Sequence, residues 1–138
     1  MEELRTILEG TKTIAVVGLS PNPDRPSHDI AKYLRAQGYR IIPVNPTVET
    51  VLGEQSYPDL LAIPFSIDVV QIFRRPEEVP PIVEQAIQIR AKVVWMQPGI
   101  VHEGAAAKAR AAGLKVVMDR CMRATHLQVF GCGSNDGA

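Results

Sequence analysis

The stretch Thr13-Ile14-Ala15-Val16-Val17-Gly18 decides the fold. It is a continuous apolar run closed by a glycine, which is typical of a strand buried on both faces of a parallel sheet. A proline-rich loop follows, and Ser27 is in position to cap a helix over residues 28–37. An apolar stripe at helical spacing supports that helix, and Gly38 is expected to end it. A strand followed by a loop and a helix begins a βαβ unit.

The same alternation continues along the chain. Further strands are predicted at 40–44, 67–73, 92–97 and 115–119, and further helices at 3–9, 76–90 and 102–112. The interval 47–66 is predicted to be irregular, with a helical turn after Pro58. Short β-branched strands alternating with helices predict parallel pairing, and right-handed crossovers place helices on both faces. We therefore predict an α/β fold with a doubly wound five-stranded parallel sheet.

Length and charge exclude several classes of protein. The 138 residues suit one domain, so we expect a single domain over 1–130 and a flexible tail over 131–138. The 15 Lys and Arg balance 15 Asp and Glu, and this zero net charge argues against nucleic-acid binding. No apolar run approaches the roughly 18 residues of a membrane-spanning helix. Cys121 and Cys132 form neither a disulfide framework nor a zinc pattern, so we expect a cytoplasmic protein with reduced thiols.

Ligands of doubly wound sheets bind beyond the carboxyl ends of the strands. Five loops are predicted there: 18–27, 45–49, 73–77, 97–102 and 120–123. The first leads into a helix N-terminus, which favours an anion, but it lacks the G-x-G-x-x-G fingerprint of dinucleotide-binding proteins. Ser20 can donate its hydroxyl to a phosphate and Arg25 can provide a charged, planar fork. The same loop is also consistent with a rigid connection that carries a solvated arginine.

The loops after the second and third strands offer polar groups whose roles stay open. Asn45 can bind a ligand hydroxyl or can simply start a turn. No acidic residue follows the second strand, which weakens an assignment to NAD. Arg74 and Arg75 can hold phosphate, with Phe73 lining an adjacent groove, or can be a solvated pair.

The loops after the last two strands add an amide, cations and a thiol. Gln97 and Gly99 allow a hydrogen bond and a close backbone approach to a ligand, or form a simple turn. Arg120 and Arg123 contribute charge. Cys121 would need a base to act as a nucleophile, and the sequence brings no histidine near it, so we expect a structural thiol. The histidines lack metal-ligand spacing, so no metal is expected.

Taken together, these motifs resemble the small CoA-binding protein family of bacteria and archaea. The resemblance covers residues 5–125 and rests on Ala15-Val16-Val17-Gly18-Leu19-Ser20-Pro21, Arg25-Pro26-Ser27, Val44-Asn45-Pro46, Leu52-Gly53-Glu54, Phe73-Arg74-Arg75, Val94-Trp95-Met96-Gln97, Gly99-Ile100 and Met118-Asp119-Arg120-Cys121. That family is similar in fold to the N-terminal domain of the succinyl-CoA synthetase α subunit, which is a Rossmann-like CoA-binding domain. The resemblance implies that coenzyme A (CoA) or an acyl-CoA binds across the carboxyl edge of the sheet.

Roles carried over by position follow from this resemblance. The phosphates would be cradled by Gly18, Leu19, Ser20 and Pro21. The adenosine side would be lined by Asn45 and Pro46, the nucleotide flanked by Phe73 and Arg74, and the pantetheine accompanied by Gln97, Gly99 and Ile100. On physical grounds we add Arg25, Arg75 and Arg120 as counter-charges. The synthetase has a lysine after Asn-Pro where this chain has Thr47-Val48-Glu49, so the resemblance assigns no contact to the 3′-phosphate.

These observations support a stand-alone CoA or acyl-CoA binding protein without its own catalytic domain. The alternative is an accessory part of an acyl-CoA ligase or transferase that acts with a partner chain. The synthetase's phosphohistidine lies in a second domain, so His126 does not inherit its role. An NAD(P)-binding domain and a redox sensor through Cys121 are further, weaker alternatives. Homodimerisation and an unidentified protein partner stay open.

The zero net charge also conceals an uneven distribution. Five of the ten arginines follow the ends of predicted strands, namely Arg25, Arg74, Arg75, Arg120 and Arg123. The acidic residues are expected elsewhere, at the N-terminus and in helices that hold Glu77, Glu78 and Glu84. Cations gathered on one edge of a neutral chain suit a single polyanionic ligand.

Overall fold

The strands and helices alternate as the sequence predicts. The structure is a computed structural model and describes residues 1–131, so most of the predicted 131–138 tail, including Cys132, lies outside the described residues. The strands are β1 Thr13–Val17, β2 Arg40–Val44, β3 Thr50–Val51, β4 Glu54–Gln55, β5 Val69–Ile72, β6 Val93–Met96 and β7 Lys115–Val117. The helices are α1 Glu2–Gly10, α2 Pro26–Ala36, α3 Val79–Gln88, α4 Glu103–Ala111 and α5 Met122–His126.

Five of these strands form one parallel sheet in the order β2-β1-β5-β6-β7. In its register Val16 lies opposite Pro43 of β2 and Gln71 of β5, and Trp95 lies opposite Gln71 and Val117. β2, which follows β1 in the chain, pairs with one edge of β1, and the later strand β5 pairs with the opposite edge of β1. The connections therefore diverge between β1 and β5, and this topological switch point is where open α/β sheets form a ligand crevice.

Alternating strand residues pack into two separate cores. Ala15 and Val17 face α3 and α4, whereas Ile14 and Val16 face α1, α2 and α5. Helices thus cover both faces, and the sheet is doubly wound as predicted. The fold is α/β and Rossmann-like.

The start of α2 differs from the prediction. The helix begins at Pro26 with Arg25 as its N-cap, and no side chain caps it. The prediction of Ser27 as the cap is wrong, because the Ser27 hydroxyl accepts a hydrogen bond from the Ser20 backbone N–H at 3.0 Å instead. Ser27 is consequently buried and holds the preceding loop.

The interval 47–66 is more ordered than predicted. A two-stranded antiparallel hairpin joins β3 to β4, and Leu52 and Gly53 form its turn with φ of 53° and 76°. Leucine rarely adopts positive φ, so the sequence carried a weak turn signal. The expected turn after Pro58 is confirmed as a 3₁₀ helix, Leu60–Ala62. A second 3₁₀ helix, Pro76–Glu78, leads into α3 and replaces the first turn of the predicted helix 76–90.

The C-terminal helix α5 was not predicted. It continues as a π-helical turn over Leu127–Gly131 and packs on α2. His126 Nδ1 lies 2.8 Å from the Tyr33 hydroxyl, and the His126 ring contacts the rings of Tyr39 and Phe130. These contacts place His126 in an aromatic cluster on the α1–α2 face of the sheet. These contacts give His126 a structural role in the described chain.

Candidate ligand-binding site

The loops after β1 and β5 cross in close contact at Gly18. Its φ is +90°, and an added Cβ would lie 2.6 Å from the Phe73 carbonyl oxygen and 2.8 Å from Arg74 Cδ. The Gly18 N–H also donates to the Val44 carbonyl at 2.9 Å, which ties in the end of β2. Only glycine combines this φ with this approach. Three loops of the predicted carboxyl edge therefore meet at one residue.

The loop 18–27 is folded by its own side chains. The Ser20 hydroxyl accepts from the Asn22 N–H at 3.0 Å, and the Ser20 carbonyl lies 3.0 Å from His28 Nδ1. The Ser20 hydroxyl proton has no acceptor within residues 1–131, so it is available to a ligand. The loop ends at the uncapped N-terminus of α2, whose free N–H groups and dipole favour an anion.

Asn45 connects two of the loops. Its Nδ2 donates to the Leu19 carbonyl at 3.0 Å, and its Oδ1 accepts from the Thr47 N–H at 2.9 Å and from the Thr47 hydroxyl at 2.7 Å. Leu19 is fully buried, so it contributes packing and a carbonyl. The Asn45 carboxamide thus positions the exposed Pro46 beside the first loop.

Arg74 and Arg75 share one carboxylate. Glu78 Oε1 lies 3.1 Å from Arg74 Nε, and Glu78 Oε2 lies 3.1 Å from Arg75 Nε. The hydrogen bond and charge of Glu78 raise the pKa of Arg75. The expectation that Glu77 and Glu78 lie away from the cations is wrong, because the 3₁₀ helix turns both carboxylates back toward them. The pair with Glu78 uses Nε of Arg74, and the terminal nitrogens of Arg74 have no hydrogen-bond partner in the described chain.

Two clefts open on either side of Arg74, which lines both. One, which we call the β2 cleft, has a volume of about 390 Å³ and is lined by Val17, Val44, Pro46, Leu60, Arg74, Ile82 and neighbouring residues. The other, the β6 cleft, has a volume of about 560 Å³ and is lined by Pro26, Ile30, Phe73–Pro76, Gln97–Ile100 and Cys121. Apolar side chains make up much of both linings, and the β2 cleft also contains the carboxylates of Asp59, Glu77 and Glu78. The Arg74 guanidinium thus lies between the two clefts.

Buried polar contacts hold the loop after β6. Gln97 Oε1 accepts from Gln71 Nε2 and from the Met122 N–H, each at 3.1 Å. The Gly99 N–H donates to Asp119 Oδ1 at 2.7 Å, and Asp119 itself has a φ of 56°. The 97–100 segment is therefore a fixed wall of the β6 cleft.

The remaining predicted cations lie at the margin. Arg25 is exposed and lines a smaller pocket of about 320 Å³ with Asp29 and Arg123, whose side chains form an ion pair. Arg120 is exposed, and its carbonyl accepts from Trp95 Nε1 at 2.7 Å. The Arg120 side chain lines neither cleft. The structure therefore brings Arg74 and Arg75 to the clefts and leaves Arg25 and Arg120 beside them.

A larger cavity, about 660 Å³, lies at the opposite, amino edge of the sheet. Its Asp68 accepts from the Lys12 and Thr13 N–H groups at 2.9 and 3.0 Å and lies 3.4 Å from Lys92 Nζ. Burial alone would raise the pKa of Asp68, but these hydrogen bonds and Lys92 lower it below its usual range. The carboxylate thus fastens the strand ends to one another, which is a structural role.

The described residues contain neither a cluster of metal ligands nor a helix that could span a membrane. No group of three or more His, Cys, Asp and Glu side chains within residues 1–131 could hold a metal ion. Every helix in that range is too short or too polar to traverse a bilayer.

Comparison with known proteins identifies the family. The family model described as CoA binding domain matches residues 12–126. The chain belongs to this CoA-binding domain family. This domain spans both clefts and all of the loops at the carboxyl edge.

Individual relatives agree with this assignment. The uncharacterized Bacillus subtilis protein YneT is 43% identical over 124 residues, which cover 90% of this chain and 92% of that protein. The solved structure of a hypothetical protein from Pyrococcus horikoshii matches with a TM-score of 0.92 at 45% identity, covering 94% of this chain and 92% of the other. The ADP-forming acetate–CoA ligase II of Archaeoglobus fulgidus is 31% identical over 96 residues, which cover 67% of this chain and 14% of the ligase.

Several contributors to the site escaped the sequence prediction. Glu78, Gln71 and Ile30 were assigned to a helix or a strand without a role at the site. Gln71 carried a signal, since it is the one polar residue in the apolar strand Val69–Ile72. Glu78 carried another, because it follows Arg75 and Arg74 by three and four residues, a spacing that allows ion pairs across a helical turn. Ile30 comes to the site through the packing of α2, which sequence spacing does not reveal.

Proposed function

We propose that this protein is a stand-alone module that binds CoA or an acyl-CoA across the carboxyl edge of its sheet. The observation that carries the proposal is a single arginine, Arg74, that lines two adjoining clefts and lies near the N-terminus of α2. CoA has the matching construction, because its phosphates join a nucleoside to a long pantetheine arm. A ligand of this shape can place charge at the centre and one arm in each cleft.

The described residues fit such a ligand. Unpartnered donors suited to phosphate are the Ser20 hydroxyl and the terminal nitrogens of Arg74. In the proposed orientation the nucleoside occupies the β2 cleft, near Pro46, and the pantetheine follows the 97–100 wall of the β6 cleft. Arg75 adds charge at the rim, and Arg25 and Arg120 attract the anion at longer range.

Calorimetric titration with CoA tests the proposal. Arg74→Ala removes a charge-assisted contact, so we expect about a 10- to 150-fold loss of affinity. The salt dependence of binding should fall as well, because one cation no longer opposes the phosphates. Arg110→Ala is the matched control, since Arg110 is an exposed arginine of α4 that lines neither cleft. Undetectable binding to the unaltered protein, or equal affinities for the two variants, would refute the proposed site.

The second candidate is an accessory role in a larger acyl-CoA ligase assembly. It is favoured by the similarity to the Archaeoglobus fulgidus ligase, of which this chain matches 14%. An affinity-tagged chain expressed in its native cells would then retain a second polypeptide in stoichiometric amount. Recovery of this chain alone, still able to bind CoA, would favour the stand-alone module.

A further inference from the structure

The orientation of the Gln97 carboxamide is fixed by the backbone. Gln97 is 3% exposed, and its Oε1 receives hydrogen bonds from the Met122 N–H and from Gln71 Nε2. A backbone N–H can only donate, so the oxygen of the carboxamide must face Met122. The amide nitrogen, Nε2, must then point away from both partners.

That nitrogen is a free donor at the wall of the β6 cleft. Gln97 Nε2 has no hydrogen-bond partner within residues 1–131, although Gln97 is one of the residues that line the cleft. Among residues 1–131, Gln71 Oε1 is the one side-chain oxygen or nitrogen that is both fully enclosed and without a hydrogen-bond partner. Gln97 Nε2 has no partner either but is absent from that class, so it is not fully enclosed. The cleft is therefore the route by which an acceptor reaches Gln97.

Gln71 explains how this donor is held. It is completely buried in β5, and its Nε2 is committed to Gln97 while its own oxygen is left unpaired. An enclosed oxygen without a partner lowers stability, so an aliphatic residue would suit this strand better. Gln71 is a positioning residue that keeps the Gln97 amide in one orientation.

The surroundings of the donor are apolar. The β6 cleft presents Pro26, Ile30, Phe73, Pro76 and Ile100, with Cys121 at its side. Arg74 and Arg75 also line this cleft, and the proposed function assigns their guanidinium groups to the phosphates. Gln97 Nε2 is then the remaining nitrogen donor among apolar side chains, and it complements a carbonyl group that carries an alkyl chain. A free thiol satisfies such a donor poorly, because sulfur is a weak acceptor.

We infer that the β6 cleft holds the acyl chain of a CoA thioester and that Gln97 Nε2 donates to the thioester carbonyl. The inference rests on the proposed function, which runs the pantetheine arm along this cleft, and it adds that the sulfur end of that arm lies beside Gln97. It makes aliphatic acyl-CoAs, rather than free CoA, the preferred ligands. Phe73 and Ile100 contact the chain, and Gln97 recognises the functional group that only the thioester has.

Three ligands separate these contributions on the unaltered protein. Free CoA measures the shared contacts, the S-butyl thioether of CoA adds the alkyl chain, and butyryl-CoA adds the carbonyl at matched length. Calorimetry should show that the S-butyl thioether binds more tightly than free CoA, by about 4-fold for each methylene of the butyl chain that becomes buried. Butyryl-CoA should bind about 2- to 12-fold more tightly than the thioether. Equal affinities of thioether and thioester would overturn the role of Gln97.

Gln97→Glu is the diagnostic variant at pH 8. Its carboxylate retains an oxygen for Met122 and Gln71 but replaces the donor with an acceptor. Preference for butyryl-CoA over the thioether should vanish or reverse. The new carboxylate also repels the phosphates that all three ligands share, so the affinities for CoA and the thioether should fall together, and the ratio of the two should stay within about 2-fold of its value in the unaltered protein. Persistence of the preference would contradict the inference.

If the variant does not fold, Ile100→Asn is used instead. The gain in affinity that the butyl chain adds to CoA should then fall at least about 3-fold. An unchanged gain would place the chain elsewhere. Failure of all three ligands to bind the unaltered protein would instead remove the proposed function itself.

Discussion

Replacing Gly18 by alanine tests whether the crossing of two loops builds the site. The new Cβ would lie 2.6 Å from the Phe73 carbonyl oxygen, which belongs to the backbone. That oxygen cannot retreat unless the loop carrying Phe73 and Arg74 moves as well. The substitution should therefore displace the cationic centre of the site as well as strain the chain.

The expected magnitude comes from two separable effects. A non-glycine residue held at φ of +90° costs about 1–3 kcal/mol, and overpacking costs about another 1–3 kcal/mol. Gly38→Ala isolates the first effect, because Gly38 has φ of +101° and nothing lies within 4 Å of its added Cβ. Gly18→Ala should accordingly be less stable than Gly38→Ala by about 1–3 kcal/mol.

Two assays follow from this comparison. Urea unfolding, monitored by the fluorescence of the buried Trp95, gives the free energy of unfolding of each variant. Calorimetry should show at least about a 10-fold loss of CoA affinity in Gly18→Ala and no loss in Gly38→Ala. Equal stabilities together with unchanged CoA affinity in Gly18→Ala would refute the reasoning.

Two other residues give predictions about stability. Burial lowers the pKa of His126. The stability that neutral His126 contributes to the folded state is therefore present above the unfolded pKa of about 6.5, and it is lost as the pH falls through the lower folded pKa. Urea titrations at pH 7.5 and 5.5 should show that acidification lowers the free energy of unfolding more in the unaltered protein than in His126→Gln. Equal decreases in the two proteins would contradict this prediction. Asp68→Asn should lower the free energy of unfolding by about 1–2 kcal/mol at pH 7 and leave CoA affinity unchanged, since Asp68 lies at the opposite edge. A changed CoA affinity in Asp68→Asn would show that the two edges are coupled.

Much of the fold could be predicted because its strands are buried on both faces. Ile14, Ala15 and Val16 are completely enclosed, and burial of that kind requires the continuous apolar run that the sequence displays. The end of this strand could be predicted as well, because Gly18 closes the apolar run. The helices on both faces and the location of the ligand edge then follow from crossover rules that depend on no particular residue. The strand order β2-β1-β5-β6-β7 was not predicted and comes from the structure.

Most of the parts that escaped prediction depend on tertiary contacts. The hairpin turn uses Leu52 at positive φ, which local propensity disfavours, and Ser27 holds a loop instead of capping a helix. Glu78 pairs locally with Arg74 and Arg75 across the 3₁₀ turn that precedes α3, so the sequence spacing allowed a contact that was not predicted. Gln97 was predicted as a polar group of the site, but its fixed orientation depends on Gln71 and Met122, which are distant in sequence.

Chemical-shift mapping with CoA tests the central claim most directly. In a titration of the ¹⁵N-labelled protein, the largest amide shifts should occur at Gly18, Ser20, Arg74 and Gln97, around the two clefts that meet at Arg74. Amides of the amino-edge cavity, such as Lys92 and Gly113, should not move and serve as the internal control. Shifts centred on Lys92 and Gly113, with none at Gly18 or Arg74, would contradict the assignment of the carboxyl edge as the CoA site.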